Sequence, residues 1–397
     1  EVQNGYAFKS TEFADEGIPV IKIKNIESPN INFDDCQYFN GDITERLKQF
    51  LITKNDILIS MTGSHLNQIA SAVGKVGRYQ YDFPALLNQR VGKVFVKDNA
   101  IADEDFLYYF LNRFDIQLEL VSSASGSANQ ANISPTQIKN IDILLPDIET
   151  QSKIASVLSS LDKKIELNHQ TNETLETIAQ TLFKEWFVNF SFPNNTGEFI
   201  ESEIGNIPMD WKVVSLAELM EFQGGSQPPS EVFKEQFEEG YIRLIQIRDF
   251  DTNAHATFIP FSNKLKLCQK KDIMIARYGA SVGRILFGLQ GAYNVALVKV
   301  IPQDKIFTEF LRVYLKSSNF QERLLAMSGR SAQAGFNKDD FKSFKLAIPN
   351  DTRLFQSFEN IVSPFLDKTL NNNEETVSLI QTRDALIPQL LKGEIEI

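Results

Sequence analysis

Residues 154–186 read IASVLSSLDKKIELNHQTNETLETIAQTLFKEW. Apolar or amide side chains recur at Ile154, Leu158, Leu161, Ile165, Asn168, Asn172, Leu175, Ala179, Leu182 and Trp186, a strict alternation of four and three residues with no internal Pro or Gly. A 3.5-residue repeat sustained over so many heptads specifies a long helix with one narrow apolar seam, the pattern of a coiled coil. One helix cannot bury such a seam alone, so a second must cover it. The candidate is C-terminal, where Leu366, Leu370, Asn373, Val377, Ile380, Asp384, Ile387 and Leu391 repeat the spacing less cleanly. Pro364 should kink that helix early and Pro388 disturb its last turn. Antiparallel pairing brings the midpoints together, and Asn168 and Asn373 lie near them. A buried Asn pair sets register at some cost in stability. The expectation is an antiparallel coiled coil in which Asn168 meets Asn373.

What flanks the helices occurs twice. GIPVIKIKNI (17–26) matches GYIRLIQIRDF (240–250), and KNDILISMTGS (54–64) matches KKDIMIARYGA (270–280). SAVGK (71–75) matches ASVGR (280–284), and FLYYFLN (106–112) matches FLRVYLK (310–316). The polar loops SGSANQA (125–131) and SGRSAQA (328–334) follow, then IDILLPD (141–147) and FKLAIPN (344–350). The offset shrinks smoothly from 224 to 203, as short loop deletions produce. A period this long means a duplicated domain rather than a solenoid. Short runs such as VIKIKNI, DILIS and RVGKVFV, bounded by Gly, Asn and Asp, read as strands. FLYYFLN and FLRVYLK read as short helices. The expected fold is α/β (α+β): two such domains and two long helices, related by a pseudo-two-fold. The boundaries are 1–147 for the first domain, 148–190 for the central helix, 191–350 for a linker and the second domain, and 351–397 for the distal helix. The first half shows no counterpart of DWKVVSLAELM (210–220), so it is expected to start inside its domain, about twenty residues short.

Composition narrows the function. The chain has 397 residues, 43% hydrophobic and 23% charged, enough for two to four globular domains. No apolar run is long enough to span a membrane. Cys36 and Cys268 are far apart, which fits a reducing cytosol. The net charge of −11 is unevenly spread: 13 basic against 19 acidic side chains in 1–147, and 19 against 18 in 191–350. That is not the footprint of a lone nucleic-acid binder, so local patches or a partner must supply cations. His65, His169 and His255 lack ligands at zinc spacing. Gly74-Lys75 and Gly92-Lys93 are followed by Val, which excludes a P-loop, and no Asn/Asp-Pro-Pro-aromatic tetrapeptide is present. Pro146-Asp147 with Asp162-Lys163-Lys164 matches a nuclease-like pattern in form only, because Asp162 and Lys164 sit on the heptad helix and read as solvated flank.

Recognition chemistry remains, in duplicate. The first half offers Thr62, Gly63, Ser64, Asn67, Gln68, Asn88, Gln89 and Arg90 with Ser125, Gly126, Ser127, Asn129, Gln130 and Asn132. The second offers Arg277, Tyr278, Gly279, Ser281, Arg284, Tyr293 and Asn294 with Ser328, Gly329, Arg330, Ser331 and Gln333. Arg reads guanine and Asn or Gln reads adenine in the major groove, while hydroxyls and glycine amides hold phosphates. Such loops are also ordinary exposed turns. Their repetition in two otherwise divergent halves favours double-stranded DNA recognition.

These segments resemble a known family, the specificity subunits of type I restriction-modification systems. The resemblance rests on LLPDIETQSKIASVLSSLDKKIELN (144–168), LFKEWFVNF (182–190), IGNIPMDW (204–211), the paired DILIS and DIMIA segments with Gly63 and Gly279, and LIPQLLKGEI (386–395). Leu145, Pro146, Glu149, Gln151 and Ile154 fit the family's helix start; Thr150 and the segment DTRLFQSF (351–358) depart from it. The resemblance implies a non-catalytic chain whose two target recognition domains read a split, asymmetric DNA site. It implies docking to two methyltransferase subunits that carry S-adenosylmethionine and flip an adenine for N6 methylation. It further implies restriction subunits that use ATP and magnesium, with no cofactor in this chain. Two alternatives stay open: a methylation-only specificity subunit without a restriction partner, and a coiled-coil scaffold that binds no DNA.

Overall fold

The computed structural model describes residues 1–65, 73–127, 130–328, 336, 338–395 and 397. The chain forms two compact units, Glu1–Ile165 with Val377–Ile397, and Glu166–Thr376. The helices Ile148–Phe183 and Arg353–Leu391 each contribute one segment to either unit.

The duplication is visible as strand order. The first unit has a four-stranded sheet in the order Val2–Asn4, Val91–Val94, Ile57–Ser60, Val76–Arg78. The second unit has the order Met220–Gly224, Leu297–Pro302, Met274–Ala276, Ile285–Leu286. A second sheet in each unit contains one parallel pair. Val20 and Ile21 pair with Leu86 and Leu87 in one, and Leu244 and Ile245 with Ala292 and Tyr293 in the other.

The residues after the aspartate in DILIS and DIMIA, Ile57–Ile59 and Ile273–Ala276, are continuously apolar because both faces of their strands are covered. Side chains alternate across a strand. Ile57 and Ile59 enter a core shared with the helix residues Phe106, Leu120 and Leu158. Leu58 points into a second core with Ile21, Tyr79 and Leu87. In the other unit Ile273 and Ile275 face the helical core, and Met274 and Ala276 face the core between sheets. Fully burying each large aliphatic side chain here contributes about 1.5–3 kcal/mol. The repeated VGK/VGR turn has a local cause. Gly74 and Gly283 have φ of +85° and +86°, and an added Cβ would press on Leu120 and Leu324 respectively. Only glycine meets that backbone and that contact without strain.

Within the second unit the two long helices run in opposite directions, since Asn172 meets Asn372 while Phe183 meets Phe358. Within the first, Asp162 meets Arg383, and Ile154 shares a cavity wall with Leu390 and Leu391. The seam expected on the first helix is buried or half-buried at every position, from Ile154 to Trp186. The seam on the second is corrected by one residue in its middle. Asn373, Val377 and Asp384 are exposed, Val377 by 46%, and Asn372, Thr376 and Arg383 are the residues turned inward. Asn168 therefore meets Thr376 and Asn372, not Asn373, while Asn172 bonds to both Asn372 and Asn373. Residues 371–373 are all Asn, so hydropathy cannot select which one turns inward. Helix Arg353–Leu391 also continues through Pro364 and Pro388.

FKLAIPN contains the strand Lys345–Pro349 because Trp211–Ser215 pairs with it. The matching segment 142–147 has no strand partner among the described residues and stays outside any ladder. Among the described residues no helix is long and apolar enough to cross a membrane.

Candidate nucleic-acid interface

In the first unit a three-stranded ladder gathers the predicted residues. Ser125–Ser127 pairs with Gln130–Asn132, which pairs with Thr62–Gly63. Gly126 makes the hairpin possible: its φ is +121°, and a Cβ there would lie 2.1 Å from the Gln130 carbonyl oxygen. The Thr62 hydroxyl donates to Asn132 Oδ1 at 2.8 Å. Two backbone bonds complete a junction. The Met61 amide donates to Arg90 O at 2.9 Å, and the Ile133 amide donates to Met61 O at 3.0 Å. The turn 88–90 is thus tied to the loop 125–132 through one residue. Ser125, Gly126, Gln130, Gln89 and Arg90 are exposed, and Asn88 and Asn132 are half-buried. Thr62 and Ser64 are buried, so they support the surface rather than form it.

The second unit repeats the first of these backbone bonds and replaces the second by a side-chain contact. The Arg277 amide donates to Ala296 O at 2.8 Å, as Met61 does to Arg90. Arg277 Nε donates to Phe336 O at 3.3 Å, and its guanidinium lies 5.0 Å from the Tyr278 ring centre. Arg277 thus occupies the position of Met61, and Ala296 that of Arg90. One guanidinium comes from the turn in the first unit and from the strand end in the second. Tyr278 and Gly279 are exposed, and Ser281 and Asn294 are half-buried. Ser328 ends a helix, Ser318–Ser328.

Two expectations change here. Tyr293 is fully buried, and its hydroxyl donates to Gln223 at 3.1 Å. Burial also pushes that hydroxyl's pKa well up. It is a core residue, because it sits on the central parallel pair of the sheet. Arg284 is exposed but bound at both ends of its fork by Asp251, at 3.0 Å and 2.5 Å. That bond holds the Asp251 carboxyl below the usual range. Asn67, Gln68, Asn129, Gly329, Arg330, Ser331 and Gln333 lie outside the described residues.

The sequence reading missed Met61, Phe336 and Ala296. They act through backbone groups, to which side-chain type is silent. It missed Asp251 because that partner is 33 residues from Arg284. The nuclease-like pattern dissolves in the structure. Asp147 accepts from the Thr150 amide and hydroxyl, which hold its carboxyl below the usual range. Asp162 is not a solvated flank: it accepts from Tyr109 and Arg383.

A family model for the type I restriction modification DNA specificity domain matches residues 1–177 and again 208–376. The type I restriction enzyme MjaIX specificity subunit of Methanocaldococcus jannaschii is 27% identical over 331 residues, spanning 79% of this chain and 74% of the relative. The type I restriction enzyme HindI specificity subunit of Haemophilus influenzae is 26% identical over 392 residues, spanning 80% and 84%. The crystal structure of a type I restriction-modification S subunit from M. genitalium shares the fold, with a TM-score of 0.61 at 18% identity over 98% of this chain and 93% of that one.

Proposed function

The chain belongs to the type I restriction modification DNA specificity family, and from that premise we propose how its two units share the work. It is a specificity subunit, with a recognition role rather than a catalytic one. Each unit reads one part of a split, asymmetric site in double-stranded DNA. The observation that carries this reading is the repeated junction bond: one scaffold, with Arg90 presented in one copy and Arg277 in the other. A common scaffold with different side chains suits two different half-sites, because side-chain contacts to base edges carry identity while phosphate contacts fix position.

The long helices serve as an antiparallel coiled coil, a spacer of roughly 60 Å if continuous over about 40 residues. At about 3.4 Å per base pair, such a spacer limits the half-sites to within about two helical turns of each other. Two methyltransferase subunits dock on the assembly, supply S-adenosylmethionine and methylate adenine N6. Restriction subunits supply ATP-dependent cleavage with magnesium. The net charge of −11 fits an assembly in which these partners provide much of the cationic clamp.

The test is expression of the chain with and without its methyltransferase partner, followed by genome-wide mapping of N6-methyladenine. A split motif with one fixed gap, present only when both proteins are made, is expected. Co-purifying proteins that produce no such motif would refute the proposal.

A further inference from the structure

The helices Glu104–Leu111 and Thr308–Lys316 are repeat equivalents, and each is bonded to the long helix Ile148–Phe183 within its own unit. In the first unit the Tyr109 hydroxyl donates to Asp162 Oδ2 at 2.6 Å. Arg383 donates from Nη1 to Asp162 Oδ1 at 2.8 Å and turns its other nitrogens to Asp384. Asp162 lies on one long helix and Arg383 on the other, so three helices meet at one carboxylate. The Arg383 and Asp162 side chains are only 15% and 27% exposed. In the second unit Lys316 pairs with Glu176, and Gln180 Nε2 donates to Val313 O at 3.0 Å. Val313 stands where Tyr109 stands in the repeat. Both copies therefore fasten the same helix to Ile148–Phe183, with chemistry that has diverged. Apolar packing tolerates sliding, whereas charge-assisted bonds with fixed donor directions do not.

We propose that Tyr109, Asp162 and Arg383 are positioning residues that lock the angle of the first recognition fold on its long helices and so narrow the half-site spacing the complex accepts. This rests on the two-part reading above. None of the three touches DNA in this assignment; they act through Glu104–Leu111. Burial and the bond to Asp162 keep the Tyr109 hydroxyl protonated, so it remains a donor at any working pH.

The experiment uses the full chain with its methyltransferase and maps N6-methyladenine in a host without other adenine methylation. Wild type should give a split motif with one gap length; its absence refutes the two-part reading itself. R383A and D162A should keep both half-sites but raise methylation at gaps one base pair longer or shorter by at least about tenfold, the scale of a lost charged hydrogen bond. The exchanged double variant, R383D with D162R, should bring the gaps back toward the single length, leaving only the smaller broadening of the lost Tyr109 bond. Unchanged gap distributions in both single variants, in complexes that co-purify and melt near wild type, would overturn the proposal. Should those variants fail to assemble, Tyr109→Phe decides, since it removes one hydroxyl and no charge: a smaller broadening supports the lock, and a strictly single gap sinks it.

Discussion

Replacing Asn168 by Ala tests the polar centre of the helix pair in the second unit. Asn168 is 2% exposed and Asn372 is 1% exposed. Asn168 Nδ2 lies 2.9 Å from Glu375 Oε2, 3.3 Å from Thr376 Oγ1 and 3.4 Å from Asn372 O. Alanine deletes the donor and leaves the Thr376 hydroxyl short of a partner, while the Asn372 carbonyl keeps its bond within the helix. A hydrogen bond to a charged group contributes about 1.5–3 kcal/mol, and an orphaned buried polar atom costs about 1–3 kcal/mol. These terms overlap, and Glu375 is exposed and can rehydrate. The net loss should be about 2 kcal/mol. For a unit of about 200 residues this lowers the melting temperature by about 4–8 °C. Scanning calorimetry of the full chain is the assay, reading the transition of the second unit because a two-unit chain need not melt as one. The double variant N168L/T376V should recover much of that loss, since it removes the donor and the hydroxyl it bonds together. It should also loosen register, which is what a buried Asn specifies. A shift under about 1 °C in N168A, or no coupling with Thr376→Ala in a double-mutant cycle, would refute the reasoning.

Gln151→Leu should cost about 2–3 kcal/mol in urea unfolding, because Gln151 is fully buried and bonds to the carbonyls of Ile101 and Pro146 and the amide of Asp103. Asp251→Ala should release Arg284, and DNA titrations across salt should then steepen by about one phosphate contact, a slope change of about 0.9. Arg90→Ala and Arg277→Ala should each cost about 1–3 kcal/mol at one base position of one half-site; a loss equal across all sequences would instead assign that Arg to phosphate. Glu359 has its carboxyl pKa raised by burial first, with the neighbouring Glu309 adding to it. Its charging therefore opposes folding: the penalty is absent below the unfolded carboxylate range and appears as pH rises through it. Glu359→Gln should stabilise the chain at pH 7 and leave it unchanged near pH 3, checked by melting at both pH values.

Period and repetition carried most of the architecture. The four-three alternation over 154–186 located a helix and its buried face, and every seam residue named there is at least half-buried. The paired DILIS and DIMIA runs located an inner strand of each four-stranded sheet. The VGK and VGR segments aligned the two halves, and in the structure their glycines share a left-handed backbone. These features are legible because they are local: spacing and backbone conformation depend on near neighbours. The inward face at Asn371, Asn372 and Asn373 was not legible, since three identical amides have no hydropathy contrast.

For the candidate interface, side-chain type identified the loops but not their roles. Tyr293 looked like a surface aromatic and is core, because its strand lies in the middle of a sheet. Arg284 looked available and is held by Asp251. Asp162 looked solvated and joins three helices. What the sequence by itself determined was a duplicated α/β unit, two long helices and a family. Only the tertiary structure decided which polar groups face solvent and which hold one another, because pairing energy depends on distance and burial between residues far apart in the chain, and neither quantity is written in local composition.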